Sequence, residues 1–82
     1  MSARPVKRSL TLRGHRTSVS LEDAFWQEFR TIAQEQSLSI NELAAVIDAD
    51  RGVESGLASA IRVYILNAVK ARQMPVSDAP SN

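Results

Sequence analysis

The segment RTSVSL, residues 16 to 21, constrains the chain most. It alternates strictly: Arg16, Ser18 and Ser20 fall on one parity, Thr17, Val19 and Leu21 on the other. Period-two alternation is the signature of a strand with one buried and one solvated face. Glu22 and Asp23 follow at once, and a helical pattern begins. A strand of six residues cannot stand alone in water, because its backbone donors and acceptors need a partner. Residues 8 to 12, RSLTL, also alternate, with Leu10 and Leu12 against Ser9 and Thr11. Gly14 then interrupts. Either one long strand is kinked by a bulge there, or a turn separates two strands.

Helical patterns fill the rest. Ser20 is a candidate N-cap for the first helix, with Asp23 three residues on, and the acids suit the positive end of the helix dipole. Phe25, Phe29, Ile32 and Ala33 follow at helical spacing, and the helix should run to about Gln36. Trp26 falls off that stripe and is expected to be partly buried at a flank or against a second subunit. LSINEL, residues 38 to 43, carries the sharpest local signal. Ser39 and Glu42 form an S-x-x-E capping box, and Leu38 with Leu43 forms a hydrophobic staple. This second helix should end near Asp48 to Asp50, before Gly52. A third helix is expected from about Gly56 to Arg72, with Ser55 as a candidate cap. It is apolar nearly all round, which calls for burial on several sides.

Eighty-two residues make one small domain, with little apolar surface to offset chain entropy. There is no cysteine and only one histidine, so disulfides and thiolate or multi-histidine metal sites are excluded. Association with a second copy is the remaining source of burial. The opening MSARPVKRSL has no apolar core of a signal peptide, and no run is long enough to span a membrane, so a cytoplasmic protein is expected. The expected organisation is a flexible basic arm over residues 1–7, a folded domain over 8–72 and a disordered tail over 73–82.

Charge is unevenly placed. Residues 1–21 hold Arg4, Lys7, Arg8, Arg13 and Arg16 and no acid, a charge of +5. The remainder holds the other five basic residues and all nine acids, a charge of −4. A basic first quarter on an acidic body points to a polyanion at one end. Enzyme chemistry is not expected. No glycine-rich phosphate loop is present, and Glu22 with Asp23 is better explained by the helix dipole than by acid–base work. No cofactor is expected either.

The order is strand, helix, tight turn, helix, helix. In that order and spacing the chain resembles the ribbon-helix-helix DNA-binding proteins, the group of the Arc and MetJ repressors. It resembles more closely the short bacterial members, through KRSLTLRGHRTSVSLEDAFW at residues 7–26. The resemblance covers about residues 8–66 and is carried by RTSVSL, EDAFWQEFRTIAQEQ, SLS and SINEL. It implies a mainly α fold with one N-terminal strand, in an intertwined homodimer. There the strand pairs with its copy in an intermolecular antiparallel β-ribbon. Thr17, Val19 and Leu21 would pack inward, while Arg16, Ser18 and Ser20 would enter the DNA major groove.

A two-stranded ribbon fits that groove, and arginine can bond guanine O6 and N7 together. Serine is a weaker reader, and the hydroxyl of Ser20 would compete with its capping role. A one-residue slip of register would turn Thr17 and Val19 outward instead. The resemblance also implies that backbone N–H groups at Ser39, Ile40 and Asn41 hold a phosphate, as free donors at a helix start can. Arg4, Lys7, Arg8 and Arg13 are further phosphate candidates, while His15 is expected to be a passive polar residue. The additional third helix would enlarge the dimer core or pair dimers into a larger assembly. The expected function is duplex DNA binding, sequence-specific or semi-specific, in a transcriptional regulator. The rival is a homo-oligomeric interaction module, antitoxin-like among the options, that keeps the fold with weak or no DNA binding.

Overall fold

A computed structural model of the chain describes residues 4–50 and 56–73. Two strands, β1 (Pro5–Leu12) and β2 (His15–Glu22), precede three helices, α1 (Asp23–Glu35), α2 (Ile40–Asp50) and α3 (Leu57–Gln73). The strands form an antiparallel hairpin in continuous register from Leu12 opposite His15 to Pro5 opposite Glu22. The two residues between them, Arg13 and Gly14, both take positive φ, 52° and 86°. Positive φ at both central residues is the mark of a tight turn whose twist matches that of the strands. Gly14 is therefore part of a hairpin turn and not a bulge. The strand leading into α1 thus finds its first partner in its own chain, in a stretch that sequence alternation left undecided. The sheet starts at Pro5, so residues 5–7, expected in a flexible arm, belong to β1.

The inner face of the hairpin covers the helices. Leu10, Leu12, Val19 and Leu21 pack with Phe29, Ile32 and Ala33 of α1, Leu43, Ala44 and Ile47 of α2, and Ile61 and Ile65 of α3. Leu21, Phe29, Leu43 and Ile61 are 0% exposed. Each such side chain contributes roughly 1.5–3 kcal/mol through burial. The inward parity of β2 is the expected one. Thr17 shares that face, but it lies towards the hairpin tip and stays exposed. It lines an open recess with Leu12, Arg13, His15, Asp48 and Leu57.

The N-cap of α1 is Glu22, not Ser20, and its side chain makes no capping bond. The register holds β2 extended through Glu22, so Ser20 stays in the strand and its hydroxyl is released from the cap. Trp26 is half-buried, with its ring 5.7 Å from that of Phe29. At the other end of α1, Leu38 N–H donates to Ala33 O at 2.9 Å and Ser37 N–H to Gln34 O at 3.0 Å. Ser37 takes φ 59°. These are the two bonds and the left-handed residue of a Schellman stop, with serine where glycine is usual.

The start of α2 is the capping box expected from the sequence. Ser39 N–H donates to Glu42 Oε1 at 2.7 Å, and Glu42 N–H donates to Ser39 Oγ at 3.0 Å. Leu38 packs against the core cluster that includes Leu43. α3 lays Ile61 and Ile65 into the core and leaves Val63 and Leu66 exposed. Its near-continuous apolar surface is therefore covered on one side within the protomer. The candidate cap Ser55 and the tail beyond Gln73 lie outside the described residues.

The end of α1 and the start of α2 respond oppositely to substitution. Ser37→Gly removes a left-handed strain and should raise stability by about 1 kcal/mol. Ser39→Ala deletes a cap and should lower it by about 1 kcal/mol. Urea denaturation at one fixed protein concentration measures both. An unchanged or lowered midpoint for Ser37→Gly would remove the strained stop.

Candidate nucleic-acid interface

Directly opposed residues of an antiparallel pair share a face. Leu10 and Val19 point inward, so the pairs Lys7–Ser20, Ser9–Ser18 and Thr11–Arg16 lie together on the other face. All six side chains are exposed. They form a small plate of four hydroxyls with a cation at each of two diagonal corners. Pro5 and Glu22 close its far end. Among the described residues no large apolar side chain lies on this face. The structure therefore brings Arg16, Ser18 and Ser20 together as the alternation implied, and it adds Lys7, Ser9 and Thr11 beside them.

The acid at the end of the plate is neutralised from behind. Arg62 of α3 donates to Glu22 Oε1 through Nε at 3.1 Å and Nη2 at 3.0 Å. The same Nη2 donates to Ser20 O at 3.2 Å. The guanidinium also lies 5.7 Å from the Phe25 ring centroid. A hydrogen bond from its own backbone N–H, followed by the Arg62 side chain, holds the Glu22 carboxyl below its ordinary value. Sequence reasoning missed Arg62, and its partners 40 and 42 residues away left no local signal.

The other basic candidates separate. Arg4 is exposed just ahead of β1. Arg8 lies on the inner parity. It pairs with Asp23 at 3.3 Å, its guanidinium stands 5.0 Å from the Trp26 ring centroid, and its Nε is buried without a hydrogen-bond partner. It braces Trp26 from the side away from the plate. Arg13, in the hairpin turn, donates through Nη2 to Ala45 O at 3.4 Å.

The start of α2 is drawn to the same plate. Asn41 Oδ1 accepts from Thr11 N–H at 3.0 Å, so this helix end sits against the edge of β1. The N–H groups of Ser39 and Glu42 are used within the capping box, and Leu43 N–H makes the first helical bond, to Ser39 O. Among the described residues the N–H groups of Ile40 and Asn41 have no partner, and Asn41 lies next to Thr11. Free amides at a helix start favour anions. Ser39 itself is engaged in the cap.

Backbone direction follows from two of these bonds. Thr11 N–H leaves the sheet towards Asn41, and Ser20 O leaves it towards Arg62. Antiparallel strands turn alternate residues to alternate sides. Lys7, Ser9 and Thr11 therefore present backbone groups along the outer edge of β1, and Arg16, Ser18 and Ser20 along the outer edge of β2. Away from the plate, a groove of about 580 Å³ runs between α2 and α3, with Val46 and Val63 exposed at its rim.

Glu22 supplies a pH test. Its depressed carboxyl pKa contributes stability that is present above the ordinary value of 4.5 and is lost as pH falls through the folded value. Carbon-detected NMR titration should place Glu22 below 4.5. In Arg62→Ala it should rise part of the way back, since the backbone bond remains. No movement in that variant would remove Arg62 from the account.

The model of a family described as the ribbon-helix-helix domain matches residues 5–69, which spans the hairpin, α1, α2 and most of α3. Comparison with curated proteins and with solved structures returned no match.

Proposed function

Because this chain belongs to the ribbon-helix-helix domain family, a family of DNA-binding regulators, we propose that it is a homodimeric transcriptional regulator that lays its ribbon in the major groove of duplex DNA. The observation that carries this reading is the division of the hairpin. One face is spent on the core, and the other is a polar, cationic plate with no large apolar side chain among the described residues. Arg16 is the principal reader of bases, as a bidentate partner for guanine. Ser18 and Ser20 add short hydroxyl contacts, which suits modest base discrimination. Ile40 and Asn41 offer open amides to a flanking phosphate, with Ser39 fixing the helix end that presents them. Arg4, Lys7 and Arg13 add positive charge around the plate, while Arg8 supports Trp26 from within.

Dimerisation is supported by the edge of β2. Arg16 and Ser18 present backbone groups there to no partner among the described residues. A second copy of β2, related by a two-fold axis, would satisfy them and set Arg16 beside the copy's plate. A cytoplasmic, bacterial regulator fits this reading, and no described helix is long and apolar enough to cross a membrane. The α2–α3 groove favours a second reading, a homo-oligomeric interaction module in which DNA binding is weak or absent. Val46 and Val63, 54% and 56% exposed, are its support.

Fluorescence anisotropy with pooled genomic duplex fragments separates the two. The full chain should bind at low salt and lose affinity steeply towards physiological salt. Arg16→Ala, verified as a folded dimer, should bind at least tenfold more weakly, the scale of one bidentate base contact. A folded wild-type dimer that binds no duplex at low salt would overturn the DNA reading.

A further inference from the structure

We infer that β1 is a second DNA-contacting strand, in which Lys7, Ser9 and Thr11 grip the phosphates that flank the bases read by β2. The inference rests on the proposed major-groove reading and adds to it a division of labour between the strands. Its basis is the cross-strand register, which places these three side chains on the same exposed face as Arg16, Ser18 and Ser20. A face that meets DNA through β2 must bring β1 with it, because the two strands are one rigid pair.

The dimensions decide what β1 meets. Neighbouring strands lie about 4.7–4.9 Å apart. If two copies of β2 pair across the two-fold axis, each β2 lies about 2.4 Å from that axis and each β1 about 7 Å. The major groove is about 12 Å wide, so its walls stand about 6 Å from its centre. β2 thus lies over the base edges, and β1 lies over the sugar-phosphate walls.

The residue chemistry agrees. Lysine is a compact point charge on a flexible stem, suited to a phosphate more than to a two-point base contact. Serine and threonine hydroxyls are common donors to phosphate oxygens. The Asn41 side chain holds Thr11 by its N–H, which fixes this strand against α2. Arg8, one residue away, faces the core and is excluded. The first residue of β1, Pro5, has no N–H to leave unpaired at the sheet edge.

The test uses the full chain and the duplex that wild-type protein enriches from a random library. Lys7→Ala, Lys7→Gln, the double variant Ser9→Ala with Thr11→Ala, and Arg16→Ala are compared, each checked for fold and dimer mass. Affinity is measured against salt, and base preference by repeating the selection. Either Lys7 substitution should flatten the salt slope by roughly 0.9 per protomer, or about 2 per dimer, and leave the preferred sequence unchanged. The double variant should weaken binding severalfold and equally on all sequences. Arg16→Ala should alter the preferred sequence.

If the β1 variants match wild type in affinity and slope while Arg16→Ala is impaired, β1 does not touch DNA and the inference fails, with the DNA reading intact. If the double variant changes the preferred bases, β1 lies inside the groove and the division of labour is overturned. If Arg16→Ala also behaves as wild type, the major-groove reading itself fails.

Discussion

The register of one hairpin governs the remaining structure. A strand has a period of two, so a slip of one residue would exchange its faces entirely. Here the turn at Arg13 and Gly14 fixes Leu12 opposite His15, and every later pair follows by counting. Leu10, Leu12, Val19 and Leu21 then meet the aromatic and aliphatic side chains of the helices. That burial holds the hairpin down. The same register presents Lys7, Ser9, Thr11, Arg16, Ser18 and Ser20 to solvent as one surface. Core and candidate interface are two sides of a single constraint.

The helices act on this plate through its rims. α2 reaches the β1 edge by Asn41, and α3 reaches the β2 edge by Arg62. Arg62 also ties up the one carboxylate at the end of the plate, so the acid does not project against an approaching polyanion. At the far end of α3, Arg72 pairs with Glu28 at 2.8 Å and Glu35 at 3.8 Å. Arg72 and Glu35 are exposed and Glu28 is partly so, and solvent screening leaves such pairs little stabilising effect. They orient α3 along α1 more than they stabilise it, whereas Ile61 and Ile65 supply the burial.

Much of this was legible in residue order. The S-x-x-E box, the helix stripes and the parity of β2 are local patterns, and local patterns survive folding when burial agrees with them. The hairpin partner was not legible, because Gly14 suits a bulge or a turn equally and arginine is no turn former. Ser20 read as a cap because serine precedes acids at many helix starts. The sheet pairing that keeps it extended depends on β1, where Lys7 lies opposite Ser20 and Pro5 opposite Glu22. The left-handed Ser37 carries no glycine to announce it. Lys7, Ser9 and Thr11 become part of the plate only once the hairpin is closed. Arg8 could have been placed inward by its parity with Leu10 and Leu12, but its charge argued the other way.

If the proposed reading holds, the solvated face of the hairpin is the face that meets DNA. Backbone amide NMR of the full chain, titrated with a duplex it selects, tests this most directly. The largest shift changes are expected at Arg16, Ser18 and Ser20, with smaller ones at Lys7, Ser9, Thr11, Ile40 and Asn41. Changes confined to Val46, Val63 and their neighbours on the α2–α3 groove, with the hairpin unmoved, would contradict it.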